Sequence, residues 1–401
     1  MVSSRSSDAA PEPVVTAQVD PVPSVAGATA APLAQRERPP TRVFGPWTWA
    51  RRNLFGSWIS TAITLVLGYL IVRWAVGFIE WAFVKAVWSV SHNAQGAPDP
   101  TACQNAKGVG ACWAVIEDRY RFILFGRYPY EQQWRPAICT ALFILLYIIS
   151  GMRRFWRREL LLIWLVTLAV IGVLMWGGVL GLPYVPQDNW GGLPITLILA
   201  TFGLAFAFPL AIVVALGRRS TGLPAVKIIC ILYVELIRGV PLVSLLFMAS
   251  VMFPLFMPEG INIDKLLRAQ IAIILFAGAY LAEVVRGGLQ ALPKGQYEAA
   301  DALGMSYWQK ARLIVLPQAL RLVIPPLVNT FIGLFKDTSL VLIIGIFDLL
   351  TSGKIALSEP AWQSFSTEVY LVLAVIYFAF CFAMSKYSRG LEREFSRGRR
   401  I

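Results

Sequence analysis

Eight stretches of the chain are almost purely apolar, and the charged residues lie mainly in the segments between them. A helix needs roughly 20 apolar residues to cross the hydrocarbon core of a bilayer, and all but the short second stretch approach or exceed that length. The pattern therefore predicts eight transmembrane helices. They cover residues 57–82, 137–151, 159–180, 194–216, 238–257, 268–285, 322–346 and 366–385.

The composition also indicates an all-α integral membrane protein. Apolar residues make up 57% of the 401 residues and charged residues 15%, and the mean hydropathy is +0.62. A water-soluble domain has an apolar share of about 45–50% and a charged share of about 25%. Five cysteines and the single histidine, His92, are too few for a disulfide scaffold or a Cys/His zinc site of the usual spacing, so we expect no metal site.

The charge distribution predicts the orientation in the membrane. The formal net charge is +13, and Lys and Arg are concentrated in the segments that would lie on the same side as the N-terminus. Short basic loops remain in the cytoplasm, so both termini are predicted to be cytoplasmic. Because orientation explains the basic character, we expect no nucleic acid partner. The proline-rich residues 1–40 are predicted to be a disordered tail, and residues 391–401 a basic tail.

One long loop, residues 88–134, is predicted to lie on the outer side of the membrane. It contains Cys103 and Cys112, which flank a short segment with two glycines. On the oxidising side of a bacterial inner membrane these two thiols could form a disulfide that closes a small loop. The alternative is two free thiols.

The loop between the sixth and seventh predicted spans, residues 287–321, is too long for a simple turn. Its first half is predicted to form a short helix that contains Glu298, Ala299 and Ala300. We expect this helix to end near Gly304, because glycine readily adopts the left-handed conformation at which helices often end.

A second short helix is predicted to follow in the same loop. Ser306 is a suitable N-cap, and the helix is expected to include Ile314 until Pro317, which lacks an N–H donor, interrupts it. Two short helices joined by a glycine form a compact projection with an apolar edge, and such projections fit grooves of partner proteins. The alternative is an ordinary helical hairpin.

Two segments with the pattern Glu-x-x-Arg-Gly lie at the cytoplasmic ends of apolar stretches. Glu235 and Arg238 form the first pair, and Glu283 and Arg286 form the second. At a spacing of three residues, the two side chains of a pair can meet on one helix face. Each pair either neutralises itself near the headgroups or contributes to an inner gate or a contact with a neighbouring subunit.

Charged residues also lie within the seventh predicted span, where Lys336 and Asp337 are followed by Thr338 and Ser339. A charged side chain at the centre of a helix in lipid costs about 2.5–3.5 kcal/mol, so such residues usually face a cavity or a protein interior. Asp337 could accept from an ammonium group, and the two hydroxyls could donate to a carboxylate, as a zwitterionic amino acid requires. The alternative is a role in packing between helices or subunits.

The long inner loop resembles the EAA loop of bacterial ABC importer permeases. Every position of that motif matches, with Glu298, Ala299, Ala300, Gly304, Ile314, Leu316 and Pro317. Other segments are similar to the polar amino-acid branch of this family: RGVPL at 238–242, AYLAEVVRGGLQAL at 279–292, LPQALRLVIPPLVN at 316–329 and KDTSL at 336–340. Val240 departs from the threonine that is common in that branch.

The resemblance implies a division into domains. Residues 185–390 would form the five-helix core of a type I importer permease, with residues 287–321 as the coupling loop. Residues 41–184 would form an N-terminal extension with about three transmembrane helices and the periplasmic loop 88–134. This arrangement looks like the longer membrane subunit of general L-amino-acid transport systems in Gram-negative bacteria.

The resemblance also implies a function and partners. The chain would be an inner-membrane permease subunit that moves L-amino acids from periplasm to cytoplasm. Its partners would be a second, different permease subunit, a dimer of a separate ATP-binding subunit and a periplasmic amino-acid-binding protein. The sequence contains no GxxxxGK(S/T) phosphate loop, so ATP and Mg would be held by the separate ATPase and this chain would not be an enzyme.

Two other classes of function compete with this interpretation. An ion-gradient-driven secondary amino-acid transporter would work alone, and the EAA loop argues against it. A membrane enzyme would need a convergent cluster of His, Cys or carboxylate residues, and the sequence indicates none.

Overall fold

The computed structural model of the protein describes residues 45–93, 96–220, 222–258, 260 and 263–397. The predicted tail over residues 1–40 lies outside this part of the chain, as do residues 398–401 of the predicted basic tail. The chain divides into two compact units, Met1–Trp74 and Ala75–Ile401.

The first unit contains α1 (Pro46–Leu54) and most of α2 (Trp58–Ile79). The hydroxyls of Ser60 and Thr64 both donate to the carbonyl oxygen of Leu54, at 3.0 Å. These bonds join the end of α1 to the start of α2, because the last carbonyls of a helix have no partner within it. The helix α2 and the π-helical turn after it make up the first predicted span.

The second unit is helical apart from its connecting loops and a two-residue strand, β1 (Phe347–Asp348). Its helices are α3 (Thr101–Ala106), α4 (Ala114–Phe125), α5 (Trp134–Gly151), α6 (Arg158–Trp176), α7 (Gly192–Arg218), α8 (Pro224–Arg238), α9 (Leu242–Phe247), α10 (Phe253–Leu255), α11 (Lys265–Gln290), α12 (Lys294–Ala302), α13 (Tyr307–Lys310), α14 (Leu316–Leu322), α15 (Ile324–Asp337), α16 (Leu349–Ala356) and α17 (Ser366–Arg397).

The helical architecture agrees with the predicted fold class. Among the described residues, seven helices are long and apolar enough to cross a membrane, and an eighth span results if one bent pair is counted as a unit. The seven are Trp58–Val84, Tyr130–Gly151, Arg158–Trp176, Gly192–Arg218, Lys265–Gln290, Ile324–Ile344 and Ser366–Arg393.

The fifth predicted span, residues 238–257, is wrong in its boundaries. The apolar segment there is preceded by α8, and the chain bends by 104° between Arg238 and Leu242. Pro241 lies in this bend with an extended ψ of 144°, and a proline without an N–H cannot continue the preceding helix. The helix α8 was not predicted as part of this span, because Glu235 and Arg238 interrupt its apolar residues.

The second predicted span, residues 137–151, is longer than expected because a buried arginine belongs to its helix. Arg135 lies in the first turn of α5 with 0% exposure. Its guanidinium donates to the carbonyl oxygens of Leu174 at 2.6 Å and Pro183 at 2.9 Å. The arginine thus caps the C-terminal end of α6, where carbonyl groups lack helical partners.

The centre of the second unit is the pair of helices α7 and α11, which have the most extensive contact with each other. Small residues on a helix surface let two backbones approach closely in a membrane. The buried glycines and alanines of this pair are Gly192, Ala200, Gly203, Ala207, Ala211, Ala215, Ala269, Ala272, Ala277, Gly278, Ala279, Ala282 and Gly288.

The outer loop packs tightly against the beginning of α7. Gly192 has a φ of +69°, and a Cβ built there would lie 2.0 Å from the carbonyl oxygen of Leu124 at the end of α4. Parallel bridges join Gly191 to Phe347 and Gly192 to Asp348. Only a glycine backbone allows so close an approach with this φ value.

The outer loop is closed by a disulfide between Cys103 and Cys112. It is also joined to the segment between α16 and α17 and to the start of α17. The joining contacts are Cys112 N–H to Glu368 Oε1 (3.0 Å), Trp362 Nε1 to Asp118 Oδ2 (2.9 Å), Lys107 Nζ to Ser364 Oγ (3.2 Å) and the ion pair of Arg119 with Glu359.

Candidate functional site

The first short helix of the inner loop is α12, and its end is closed by Gly304 as the sequence predicts. Gly304 has a φ of +68°. Its N–H donates to the carbonyl oxygen of Asp301 at 2.9 Å, and the N–H of Met305 donates to that of Ala300 at 3.2 Å. A left-handed glycine with this pair of bonds closes a helix C-terminus and reverses the chain.

The second short helix begins at the predicted N-cap, Ser306. The Ser306 hydroxyl accepts from the N–H of Gln309 at 3.4 Å, and the Gln309 side chain accepts from the N–H of Ser306 at 2.9 Å. This reciprocal capping box satisfies two backbone donors. An ion pair between Lys310 and Asp301 then ties the second helix back to the first.

The prediction that Pro317 interrupts the second helix is wrong. The chain forms a π-helical turn over Ala311–Val315 and continues as α14 to Leu322. In this turn the N–H of Leu316 donates to the carbonyl oxygen of Ala311. Pro317 then occupies the first turn of α14, where its missing N–H costs little. Ile314 and Leu316 are half-buried, and Pro317 is exposed.

One face of the inner loop exposes large apolar side chains. Leu303 is 77% exposed and Trp308 71%, and the ring of Tyr307 lies 5.3 Å from that of Trp308. Glu298 and Ala299 are exposed beside them, whereas Ala300 is buried. Exposed apolar patches are common where a protein surface contacts another protein. We call Glu298, Ala299, Leu303, Tyr307 and Trp308 the docking face.

Three residues connect α12 to the ends of the two central helices. The guanidinium of Arg219, just after α7, donates to the carbonyl oxygen of Leu289 at 2.6 Å and to the Tyr297 hydroxyl at 2.7 Å. The Tyr297 hydroxyl in turn donates to the Leu289 carbonyl at 2.8 Å. We call Arg219, Leu289 and Tyr297 the junction. The sequence did not predict the junction, because Arg219 was interpreted only as one of the basic residues that determine the orientation in the membrane.

A second cluster surrounds Glu283 near the same end of the core. The Glu283 carboxylate pairs with Arg218 at 2.8 Å, with Arg238 at 3.9 Å and with Arg286. Glu235 pairs with Arg218 at 2.9 Å. The predicted pair of Glu283 with Arg286 therefore forms, but Glu235 takes a different partner from the one that its spacing suggested. Arg218, which bridges both glutamates, was missed for the same reason as Arg219.

The four polar residues of the seventh span lie where α15 ends and a 3-10 segment begins. Lys336 is exposed and Asp337 half-buried, and in the described part of the chain they form no ion pair with each other. Thr338 is buried, and its hydroxyl donates to the carbonyl oxygen of Phe335 at 2.8 Å. The Ser339 hydroxyl donates to the Lys336 carbonyl at 2.8 Å.

The arrangement brings together the inner loop, the junction and the glutamate cluster, while Asp337 lies further along the core helices. Among the residues that the structure describes, no group of three or more His, Cys, Asp or Glu side chains is placed to hold a metal ion. The junction thus connects α12 to α11 through Leu289 and to the end of α7 through Arg219.

Comparison with known proteins identifies the family of the chain. Residues 207–397 match the family described as binding-protein-dependent transport system inner membrane component. The chain is 49% identical over 357 residues to the inner membrane amino-acid ABC transporter permease protein YhdY of Escherichia coli K12, covering 88% of this chain and 93% of the relative.

Two further similarities extend the comparison. The glutamate/glutamine/aspartate/asparagine transport system permease protein BztC of Rhodobacter capsulatus is 37% identical over 426 residues, covering 92% of this chain and 98% of BztC. A chain in the crystal structure of an amino acid ABC transporter with histidines is 32% identical, with a TM-score of 0.45, and the match covers 51% of this chain and 92% of that one. The sequence resemblance is thus confirmed, and the chain belongs to the family of binding-protein-dependent transport system inner membrane components.

Proposed function

We propose that this chain is the permease subunit of an ATP-driven importer that moves L-amino acids from the periplasm to the cytoplasm. The observation that carries the proposal is the inner loop, a rigid two-helix projection with an exposed apolar face. Membership of the family and the names of the two long relatives, both amino-acid permeases, support the substrate class.

The importer that we propose contains further subunits. A separate ATPase dimer holds ATP and Mg and receives the docking face, since this sequence has no phosphate loop of its own. A second permease subunit, of a different sequence, completes the translocation path, and a periplasmic amino-acid-binding protein delivers the substrate. The chain itself performs no chemical reaction and needs no cofactor.

We place both termini in the cytoplasm of a Gram-negative bacterium, with the inner loop on the same side. The support is the concentration of Lys and Arg in the segments that this orientation makes cytoplasmic. In the same orientation the disulfide of the outer loop lies in the oxidising periplasm, where such bonds persist.

In this mechanism the ATPase dimer closes on binding ATP and displaces the docking face. Because Tyr297 belongs to α12 and Leu289 to α11, the junction passes that displacement to α11, and Arg219 passes it to α7. The cluster of Glu283 with three arginines lies beside the same helix ends and acts as the inner gate, because its ion pairs join α7, α8 and α11.

For the substrate pathway we propose that Asp337 accepts from the ammonium group and that Lys336 and Ser339 face the carboxylate. Thr338 contributes only when its segment rearranges, since its hydroxyl is bonded to a backbone carbonyl. An Asp337→Ala chain that assembles normally should lose most uptake. Normal uptake by that variant would reject the ligand role of Asp337.

The central test is reconstitution. The chain, its permease partner and the ATPase are placed in proteoliposomes, and the binding protein is added outside with radiolabelled L-amino acids. We expect uptake that requires ATP and survives an ionophore that collapses ion gradients. Gradient-driven accumulation by the isolated chain would instead identify a secondary transporter.

A further inference from the structure

The outer loop contains a cavity of about 590 Å³ that the transport mechanism above does not use. It is lined by residues of α4, by the segment between α4 and α5, and by Val90 and His92, whose ring lies 3.5 Å from the Asp118 carboxylate. Small-molecule sites in proteins typically have volumes of about 300–1,000 Å³. The cavity is therefore large enough for an amino acid, and its charged lining indicates what kind of molecule fits.

Two of the lining charges are already neutralised and form the cavity wall. Asp118 accepts from the indole N–H of Trp362 at 2.9 Å and pairs with Arg119 at 2.8 Å. Arg119 also pairs with Glu359. These contacts attach the wall to the segment between α16 and α17, so a molecule bound in the cavity would stiffen that connection.

Two other arginines of the lining lack a carboxylate partner in the part of the chain that the structure describes. The guanidinium of Arg121 stacks 3.7 Å from the ring centre of Tyr130, and that of Arg127 lies 5.2 Å from the ring centre of Phe347. A guanidinium carries its N–H donors in its plane, so a ring on its face leaves most donors available. Apart from a long bond of 3.4 Å to the Tyr130 carbonyl, the Arg121 donors are available to bind a carboxylate in two-pronged geometry.

The same cavity offers acceptors for a positive group. Glu117 precedes Arg121 by one helical turn, so the two side chains share a face of α4, yet they form no ion pair among the described residues. Gln133 is only 5% exposed, and its Nε2 donates to the Tyr128 carbonyl at 3.1 Å. Its Oε1 is buried and has no hydrogen-bond partner, but it has no surface open to the cavity, so the acceptor that a ligand can reach is the exposed Glu117 carboxylate.

We propose that this cavity binds a free α-amino acid on the outer side of the membrane, with its carboxylate on Arg121 and Arg127 and its ammonium group on Glu117. The inference rests on the proposed function, which brings amino acids to this side. The site is distinct from the Asp337 region. The cavity captures the substrate. Its lining contacts Phe347 before α16 and Trp362 before α17, so a bound amino acid would affect these two segments.

The test uses the assembled transporter in nanodiscs, without the periplasmic binding protein. Equilibrium binding of radiolabelled L-glutamine is compared with that of its α-amide, which lacks the carboxylate. We expect saturable binding of L-glutamine, at least about tenfold weaker binding of the amide, and a similar weakening in Arg121→Gln and Arg127→Gln. Arg127 is exposed, so Arg127→Gln tests the site even if Arg121→Gln fails to assemble.

The control is Lys85→Gln, which removes an outer positive charge that pairs with Glu80 and does not line the cavity. It should bind L-glutamine like the unchanged chain. Absence of saturable binding, or binding lost in Asp337→Asn but not in the two arginine variants, would overturn the proposal. If the arginine variants instead weakened only the association of the periplasmic binding protein, the two arginines would bind a carboxylate of that protein. The proposal of a free amino acid as the ligand would then be wrong. ATP-driven uptake measured on the same complex tests the proposed function separately.

Discussion

The inner loop and the outer loop are both long excursions between apolar helices, but they are attached to the core in different ways. The outer loop is closed on itself by the Cys103–Cys112 disulfide. It is attached to the core by a buried bond to Glu368 and by a bond between Asp118 and the fully buried Trp362. The inner loop is attached to the core by the hydrogen bonds of the junction. The bond between Gln296 and Gln318, at 3.0 Å, lies within the loop. Its most apolar face is left in solvent.

The difference separates two mechanical roles. A segment that transmits force must be stiff within itself and attached at few points, so that a push on its face moves a defined part of the core. The inner loop meets this condition with the left-handed Gly304, the capping box of Ser306 and the ion pair of Asp301 with Lys310. The outer loop is instead attached by four contacts to the start of α17 and to the segment before it.

The largest effect is expected from Gly304→Val. A residue with a Cβ costs about 1–2 kcal/mol in the left-handed region, and a β-branched one costs more. The substitution should alter the angle between α12 and α13 and abolish uptake, while the amount of protein in the membrane is unchanged. Uptake and membrane level are both measured.

The matched control is Gly295→Val, which adds the same atoms at a position in α12 with open space around the Cβ and without a positive φ. It should retain most of the uptake. Equal uptake by Gly304→Val and Gly295→Val would show that coupling does not require the left-handed conformation of Gly304.

Arg219→Ala should reduce uptake about tenfold, since it removes both hydrogen bonds of this residue in the junction, at 2.6 and 2.7 Å. The ATPase should still associate and hydrolyse ATP, because the docking face is untouched. Tyr297→Phe removes the hydroxyl group of the junction but keeps the bond from Arg219 to the Leu289 carbonyl, so it should lower uptake less. The measurement is the ratio of substrate transported to ATP hydrolysed.

Arg154→Ala is the comparison for this variant, because Arg154 is an exposed arginine outside the inner loop. Its transport per ATP should equal that of the unchanged chain. A normal ratio in Arg219→Ala would mean that displacement of the docking face reaches the core by another route.

The features predicted correctly from the sequence are those that local rules determine. The apolar stretches required membrane helices, and the ends at Gly304 and Ser306 depend on residues within one or two turns. The course of the chain at Pro317 was predicted wrongly because a π-helical turn just before it moved the proline into the first turn of a new helix.

The pairing of charges was harder to predict because partners came from distant segments. Spacing suggested Glu235 with Arg238, but Arg218 from α7 takes Glu235. Arg135 was left out of the second predicted span because it is charged. In the structure its guanidinium donates to the carbonyl oxygens of Leu174, in α6, and Pro183, after α6. Periodicity within one helix contains no information on which helix packs beside it.

Removing the disulfide with Cys103→Ser and Cys112→Ser should lower stability without affecting coupling. A disulfide that closes a short loop contributes about 2–3 kcal/mol, so the thermal unfolding midpoint should fall while uptake changes less than twofold. A reductant should reproduce the shift in the unchanged chain and have no effect on the double variant. A large loss of uptake would show that the outer loop takes part in coupling.

The smallest effects, and the most direct comparison of the two loops, come from one substitution made in each. Trp362→Phe removes the bond from the buried indole to Asp118 and should cost about 1–2 kcal/mol of stability, with normal ATPase association. Trp308→Phe alters an indole that is 71% exposed, so it should leave stability unchanged and weaken ATPase association severalfold. Thermal unfolding and ATPase titration are measured on both variants. The opposite result would contradict this comparison: Trp308→Phe would destabilise the protein, and Trp362→Phe would weaken ATPase association. The outer loop would then bind the ATPase, and the exposed face of the inner loop would contribute to packing.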